Sequence, residues 1–278
     1  MPTLRKNYVL ESAEETERLD RQSRMKAHDF RPELKFLNIK PGQKILDAGC
    51  GSGIVTDYLA QQASDIQVTG WDFSLARIES AKQRYSSRSN IEFQQMDLLH
   101  LDKEVAKNSR FDLIVCRYVI HHFSQKNAKK VIKNIISLLN PGGTLFSINV
   151  EGLFGNIFPS SPFLRKCLEK IQKTKDMDMQ SARRISSQLI ENGLQDIDWH
   201  VITAEFKGQE RLQEIENLKQ SMKNAAPFLK KLFGSTSTVK RFEKEYVEAL
   251  SAPGSIHFYN KVVVSGSKPK SGLSLIKG

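Results

Sequence analysis

The most informative segment of this 278-residue chain is LDAGCGSG, residues 46–53. It completes a short apolar run that predicts a buried strand, and it opens an amphipathic stretch over residues 52–62 that predicts a helix. Gly49, Gly51 and Gly53 let the backbone turn tightly and approach a ligand closely, next to the free N–H groups of a helix start. In an open parallel sheet, this position is where ligands bind. A tight turn that binds nothing is the alternative for a glycine triplet alone.

Short apolar runs alternate with amphipathic stretches along most of the chain. The runs predict buried strands, and the stretches predict helices because their apolar residues recur at spacings of three and four. The predicted strands are residues 44–48, 67–71, 91–96, 111–117, 144–150, 196–206 and 255–266. The predicted helices are residues 52–62, 74–85 with Ser74 as its N-cap, 124–139, 181–192, and 208–250 with an interruption near Gly234. Residues 140–143, Asn-Pro-Gly-Gly, predict a turn that ends the helix 124–139. This alternation is typical of βαβ units, so the predicted fold class is α/β with a mostly parallel sheet.

An aspartate stands at the end of each of the first three predicted strands: Asp47, Asp72 and Asp97. The glycine spacing is G-x-G-x-G rather than the G-x-G-x-x-G of dinucleotide-binding loops, which disfavours a nicotinamide-dependent oxidoreductase. Asp47 suits a ligand with an ammonium group, Asp72 can accept hydrogen bonds from both hydroxyls of a ribose, and Asp97 can receive an adenine amino group. Each acid could instead cap the next helix, but three acids at successive strand ends favour a shared ligand.

The motifs LDAGCGSG, GWDFS, MD, FDLIVCR and LLNPGG, in this order, resemble the class I S-adenosylmethionine-dependent methyltransferases. The resemblance covers about residues 40–151, and the later predicted elements fit the same fold to about residue 266. It implies a Rossmann-like, seven-stranded sheet whose last strand is antiparallel, with helices on both faces and helical cover insertions. The implied organisation is an N-terminal arm over residues 1–38 that closes over the cofactor site, a methyltransferase domain over 39–266 with cover insertions at 152–180 and 208–252, and a flexible tail over 267–278.

The resemblance also implies the cofactor, S-adenosyl-L-methionine, with S-adenosyl-L-homocysteine as the product. The glycines and Asp47 would hold its amino-acid part, Asp72 its ribose, and Asp97 its adenine, with Phe73 as a side wall. Arg117 would face the sulfonium and carboxylate. The implied cofactor-binding residues are Tyr8, Gln22, Asp47, Gly49, Gly51, Gly53, Asp72, Phe73, Asp97, Leu98 and Arg117.

The N-terminal arm resembles a segment found in a subgroup of small-molecule methyltransferases, with a Tyr followed by an E-x-x-RL-x-x-Q pattern. Here that pattern includes Tyr8, Arg18, Leu19 and Gln22. In the subgroup, this helix closes over the cofactor. A solvated helix with charge pairs at i,i+4 is the alternative for such a segment.

The candidates for a general base are His121 and His122, directly after the fourth predicted strand. A base is needed only if the acceptor loses a proton at or before methyl transfer. A role in lining or packing is the alternative, because neutral histidines are common in pockets. Tyr118 and Glu151, near the ends of the fourth and fifth strands, are further candidates. There is no N/D-P-P-Y/F motif after the fourth strand, which disfavours a DNA adenine methyltransferase.

The net charge of +11 could indicate an anionic partner such as nucleic acid. The excess lies mainly on the predicted helix 124–139 and on the tail, whereas residues 51–100 carry four basic and six acidic side chains. A nucleic-acid partner is therefore disfavoured. The three cysteines, Cys50, Cys116 and Cys167, show no metal-ligand spacing, so no metal is expected.

The sequence predicts an enzyme that transfers a methyl group to an O, N or C atom of a small, partly apolar molecule. Apolar residues of the cover insertions favour such an acceptor. A methyltransferase acting on protein or RNA is one alternative, and a cofactor-binding regulatory protein without turnover is another. The sparse cysteines and the lack of a signal-peptide or membrane-spanning segment predict a cytoplasmic location.

Overall fold

A computed structural model describes residues 13–270 of the chain. Its centre is a sheet whose strands are β1 Lys44–Ala48, β2 Gln67–Asp72, β3 Ile91–Gln95, β4 Phe111–Arg117, β5 Leu139–Glu151, β6 Ile157–Phe158, β7 Gln195–Glu205 and β8 Ile256–Ser267. The main order is β3-β2-β1-β4-β5-β8-β7. Strands β1 to β5 are parallel, and β8 runs antiparallel to both of its neighbours. The predicted fold class is confirmed, and the two-residue β6 pairs with the start of β8.

The α-helices of the described residues are α1 Ala13–Gln22, α2 Arg31–Leu34, α3 Ile54–Leu59, α4 Leu75–Arg84, α5 Lys103–Asn108, α6 Gln125–Ser137, α7 Pro162–Gln172, α8 Ser181–Glu191, α9 Gly208–Asn224, α10 Ala226–Phe233 and α11 Thr236–Ser251. Short 3₁₀ turns occupy Lys26–His28 and Ile120–His122. Ser74 caps α4 by accepting a hydrogen bond from the Arg77 N–H, as its position in the sequence predicts.

The sheet is buried on both faces, which explains its nearly continuous apolar strands. Helices α6 and α8 cover one face, where Ile132 and Ile185 pack against Leu46 and Ile114. Helices α2 and α3 cover the other face. The lysines of α6 point away from the core, as predicted: Lys126, Lys129, Lys130 and Lys133 are all exposed.

Strand β5 begins earlier than the sequence predicts. Pro141, Gly142 and Gly143 were expected to form a turn before a strand at 144, yet they lie inside β5. The reason is pairing with the end of the chain: the Gly142 N–H donates to the Lys268 carbonyl, and the Lys268 N–H donates to the Gly143 carbonyl. Residues up to Lys268 are thus tied to the sheet, and residues 271–278 of the predicted tail lie outside the described residues.

The two predicted cover insertions form a second apolar core of their own. Helices α7, α9, α10 and α11 pack together around Leu164, Met222, Phe242 and Tyr246. The long predicted helix 208–250 is broken at Ala225 as well as at Gly234, because Pro227 begins a new helix there. This core joins the sheet where β6 pairs with the start of β8. Over residues 13–270, no helix is both long and apolar enough to span a bilayer.

Candidate active site

The glycine loop lies between β1 and α3, and its glycines have different roles. All of them adopt positive φ angles: 85° at Gly49, 56° at Gly51 and 83° at Gly53. A Cβ at Gly49 would lie 2.2 Å from the Cγ2 atom of Val119, and a Cβ at Gly53 would lie 2.6 Å from the ring of Phe93. A Cβ at Gly51 would meet open space. Gly49 and Gly53 are therefore required by packing, whereas Gly51 leaves room where a ligand could approach the backbone.

Asp47, the penultimate residue of β1, precedes this loop in the chain and is almost completely buried. Its carboxylate accepts a 2.7 Å hydrogen bond from the Thr56 hydroxyl. Burial raises the pKa of Asp47 to about 7, and the Thr56 hydrogen bond offsets only part of that effect. A cationic group beside Asp47 would favour its ionised form, so the site is suited to an ammonium.

Asp72 ends β2 and links that strand to the glycine loop. One carboxylate oxygen accepts the Gly51 N–H at 2.9 Å, and the other accepts the Ser74 N–H at 2.9 Å. The carboxylate thus lies beside the open side of Gly51. Each oxygen retains accepting capacity for a further donor, such as a ligand hydroxyl.

Asp97 and its neighbours form the far end of the predicted cofactor site. The Asp97 carboxylate accepts the Leu99 N–H at 2.9 Å and lies 2.8 Å from Nδ1 of His100. The Leu98 carbonyl accepts the Asn134 amide at 2.8 Å, and the half-buried Phe73 offers its carbonyl to Gln95. The turn after β3 is thus shaped by Asp97 itself, and contact with an adenine stays a prediction.

Arg117 forms a buried ion pair that the sequence did not suggest. Its Nε donates to the Glu33 carboxylate at 2.6 Å, and its guanidinium stacks 4.0 Å from the ring centroid of Tyr118. Lys261 of β8 reaches the same carboxylate at 2.7 Å. The guanidinium therefore fastens α2 to the sheet, and its predicted contact with the sulfonium region stays a prediction.

The N-terminal arm lies against the glycine loop. Its Asp20 carboxylate accepts hydrogen bonds from Ser52 of the loop and from Arg84 of α4. Gln22, the last residue of α1, lies 3.2 Å from the nearest nitrogen of His28. These contacts put the arm on the same side of the sheet as the predicted cofactor site. Tyr8 lies outside the described residues.

The two candidate bases lie side by side on the 3₁₀ turn after β4, with their ring centroids 4.1 Å apart. Burial, and then the neighbouring His122, lower the pKa of His121 well below its usual range. Burial, and then the charge of Arg77, lower the pKa of His122 to about 4. Both imidazoles are neutral at pH 7, the state in which a histidine can accept a proton.

Several buried polar atoms near the carboxyl ends of β4 and β5 and at the start of α8 lack hydrogen-bond partners. They are Nδ1 of His121, Oε2 of Glu151, Oδ2 of Asp178 and Oγ of Ser181, all unpartnered among the described residues. The Asp178 N–H donates to the His121 carbonyl at 3.0 Å, and the Ser181 N–H donates to the Asp178 carbonyl at 3.0 Å. Buried polar groups are normally satisfied, so such a set at the carboxyl end of β4 and β5 indicates a place for a ligand or water.

Sequence reasoning missed several of these residues. Glu33, Asp178 and Ser181 lie in segments without a recognisable motif, and Asp20 occupies a position that the arm pattern leaves unspecified. Only the tertiary contacts bring these residues to the site. An i,i+3 spacing between Asp178 and Ser181 was the sole local signal, and it is common at helix starts. No cluster of side chains suited to a metal ion occurs within residues 13–270.

Comparisons with known proteins agree with this geometry. Residues 45–143 match the family model described as a methyltransferase domain. The chain is 36% identical over 114 residues to a ubiquinone biosynthesis O-methyltransferase of Coxiella burnetii, covering 41% of this chain and 46% of that protein. It is 31% identical over 195 residues to phosphoethanolamine N-methyltransferase 1 of Triticum aestivum, covering 69% of this chain and 36% of that one.

Two solved structures share the fold at low identity. One is the [4+2]-cyclase SpnF, with a TM-score of 0.57 and 18% identity, covering 88% of this chain and 81% of that one. The other is a Haemonchus contortus phosphoethanolamine N-methyltransferase 2 bound to S-adenosylhomocysteine, with a TM-score of 0.54 and 18% identity, covering 87% of this chain and 53% of that one.

The order of the strands, the glycine loop and the matched domain define an α/β methyltransferase fold. These comparisons support the class I S-adenosylmethionine-dependent methyltransferases as the family of this chain. The chain spans about half the length, or less, of the curated relatives named above.

Proposed function

We propose that this protein binds S-adenosyl-L-methionine and transfers its methyl group to a small molecule. The observation that carries the proposal is the open side of Gly51, whose N–H donates to Asp72 at the end of β2, next to the strand β1 that carries the buried Asp47. The two curated relatives described above are methyltransferases by name, one an O-methyltransferase and one an N-methyltransferase. The three buried, unpaired cysteines support a cytoplasmic location as part of the same proposal.

The cofactor-binding side of the site would be formed by the glycine loop, Asp47 and Asp72. Asp47 would meet the ammonium group and Asp72 the ribose hydroxyls, and both carboxylates are already oriented by hydrogen bonds from Thr56, Ser74 and Gly51. When bound, the cofactor supplies the electrophilic methyl group. The protein contributes alignment of the acceptor and exclusion of water.

The acceptor would bind at the carboxyl ends of β4 and β5, where buried polar atoms lack partners. Oxygens of Glu151 and Asp178 can accept hydrogen bonds from the acceptor, and the Ser181 hydroxyl can donate or accept. Neutral His121 could take a proton at Nδ1 if the acceptor loses one. Because Arg183 pairs with Glu151 and Arg184 pairs with Asp178, the charges nearly cancel, which favours a neutral acceptor.

Calorimetric titration with S-adenosylhomocysteine tests this function at its cofactor step. The wild-type protein should bind, and Asp72→Ala should weaken binding at least tenfold, since a partly buried charge-assisted hydrogen bond contributes about 1.5–3 kcal/mol. Glu79→Ala, an exposed acid on the neighbouring helix α4, is the matched control and should bind like the wild type. Unchanged affinity in Asp72→Ala would rule out the ribose contact.

A further inference from the structure

A buried histidine–carboxylate pair joins the N-terminal arm to the cover. Nε2 of His28, in the 3₁₀ turn after α1, lies 2.9 Å from Oε2 of Glu214 on α9. Only 5% of His28 and 3% of Glu214 are exposed. The two residues are 186 positions apart, so the contact exists only in the folded molecule.

Polar groups contact both ring nitrogens and the carbonyl of His28. Its Nδ1 lies 3.0 Å from the Tyr259 hydroxyl of β8, and the Gln22 amide lies 3.2 Å from the ring. Arg117 donates to the His28 carbonyl at 3.3 Å. Glu214 also accepts a 3.0 Å hydrogen bond from Asn217, so both members of the pair have further partners.

A second buried polar contact lies one helical turn further along the same interface. Arg18 of α1 pairs with Glu15 and donates to the Asn217 side chain at 2.6 Å. Asn224 of α9 donates to the Glu15 carboxylate at 2.6 Å. The arm therefore meets α9 through hydrogen-bonded and charged groups rather than through a large apolar surface.

The chemistry of this interface suits a contact that opens and closes. Groups of this kind regain hydrogen bonds to water on separation, so their net contribution to closure is small, whereas an apolar interface would resist opening. On the opposite side, the same arm reaches the glycine loop through Asp20 and Ser52. The arm is thus fixed at one side by α9 and at the other by the predicted cofactor site.

We propose that Glu214 is a positioning residue that, through His28, holds the arm against the glycine loop in its cofactor-binding position. The inference rests on the proposed function only in taking S-adenosyl-L-methionine as the ligand. Glu214 makes no contact with the glycine loop in the described residues, and it acts by fixing His28 and with it the end of α1, where Gln22 and Asp20 lie. Cofactor affinity therefore depends on a residue of the cover helix.

Titration calorimetry with S-adenosylhomocysteine provides the first test. Glu214→Ala should weaken binding about tenfold, while Glu214→Gln, which keeps an oxygen for His28, should recover most of the affinity. Glu216→Ala is the matched control, since Glu216 lies on the same helix with its side chain 72% exposed. His28→Asn should weaken binding to a similar degree, and its combination with Glu214→Ala should be less than additive. Full affinity in Glu214→Ala would overturn the proposal.

Hydrogen exchange on the ligand-free proteins provides a test that does not depend on the cofactor. Glu214→Ala should accelerate amide exchange in residues 13–34 several-fold and leave β1 and β4 unchanged, which also shows that the variant is folded. Unchanged exchange in residues 13–34 would overturn the positioning role. A wild-type protein that binds no S-adenosylhomocysteine would refute the proposed function, and the exchange result would still decide whether Glu214 holds the arm.

Discussion

At the residue scale, Gly49 and Gly51 of the glycine loop have different surroundings. Gly49 is pressed against Val119, whereas Gly51 faces open space and offers its N–H to Asp72. Both have positive φ, so an alanine at either position carries a backbone penalty of roughly 1–2 kcal/mol. Only at Gly49 does the side chain also collide with the core.

A pair of alanine substitutions tests this difference. Gly49→Ala should lower the free energy of unfolding by several kcal/mol, about 3 or more, because strain and a severe clash add. Gly51→Ala should lower it by only about 1–2 kcal/mol while weakening binding of S-adenosylhomocysteine strongly. Urea unfolding and calorimetric titration measure the two quantities. Equal losses of stability in both variants would contradict the assignment.

At the element scale, the exposed positive charge and the helices nearest the predicted site are different parts of the molecule. Helix α6 carries exposed lysines on its outer face and buries Ala128, Val131 and Ile135 against the sheet. The arm and α9, which lie closer to the predicted site, meet through buried polar side chains, His28 against Glu214 and Arg18 against Asn217. The positive surface of α6 therefore lies on a helix whose apolar face is committed to the core, away from the arm.

Substituting the α6 lysines tests whether the positive surface serves a macromolecular substrate. A variant with Lys126, Lys129, Lys130 and Lys133 all changed to Gln should bind S-adenosylhomocysteine within about twofold of the wild type, because exposed charges contribute little at a distance. In a cell extract supplied with cofactor labelled on its methyl group, both proteins should label the small-molecule fraction equally. Label in RNA that disappears in the variant would instead support the macromolecular alternative.

At the scale of the whole molecule, buried ionisable groups set how stability depends on pH. Burial lowers the pKa of His122 and of His257 to about 4, and it lowers the pKa of His121 well below its usual range. Between these values and the ordinary pKa near 6.5, the unfolded chain binds more protons, so stability increases with pH. Asp47, with its pKa raised to about 7, acts in the opposite sense because its native form keeps a proton.

Three imidazoles opposed by one carboxyl predict that the free energy of unfolding rises between pH 5 and 6.5, with a slope of about two protons near pH 5 that falls to about one proton near pH 6.5. Urea denaturation at a series of pH values measures it. His257→Asn should reduce the slope near pH 5 by about one proton. A stability that falls over this range would show that these imidazoles are protonated in the native state.

The existence of the first five strands, the helices α3, α4 and α6 and the carboxylates near the ends of the first three strands followed from local patterns. Apolar runs at a period of two or with no period, and amphipathic stretches at a period of 3.6, are properties of neighbouring residues. Ser74 is one example, because a cap needs only the sequence around it. The glycine loop is another example, because its positive φ angles favour glycine whatever fold the rest of the chain adopts.

Other features were fixed by contacts between distant parts of the chain. The early start of β5 depends on pairing of Gly142 with Lys268, and the burial of Arg117 depends on Glu33, which lies 84 positions earlier. The link between His28 and Glu214 spans 186 positions. The local sequence determines the periodicity of each element. It does not determine which polar side chains come into contact when the elements pack. The sequence alone therefore sufficed for the fold class and the place of the glycine loop. Packing selected the partners of each buried charge, because an unpaired charge is unfavourable inside the protein.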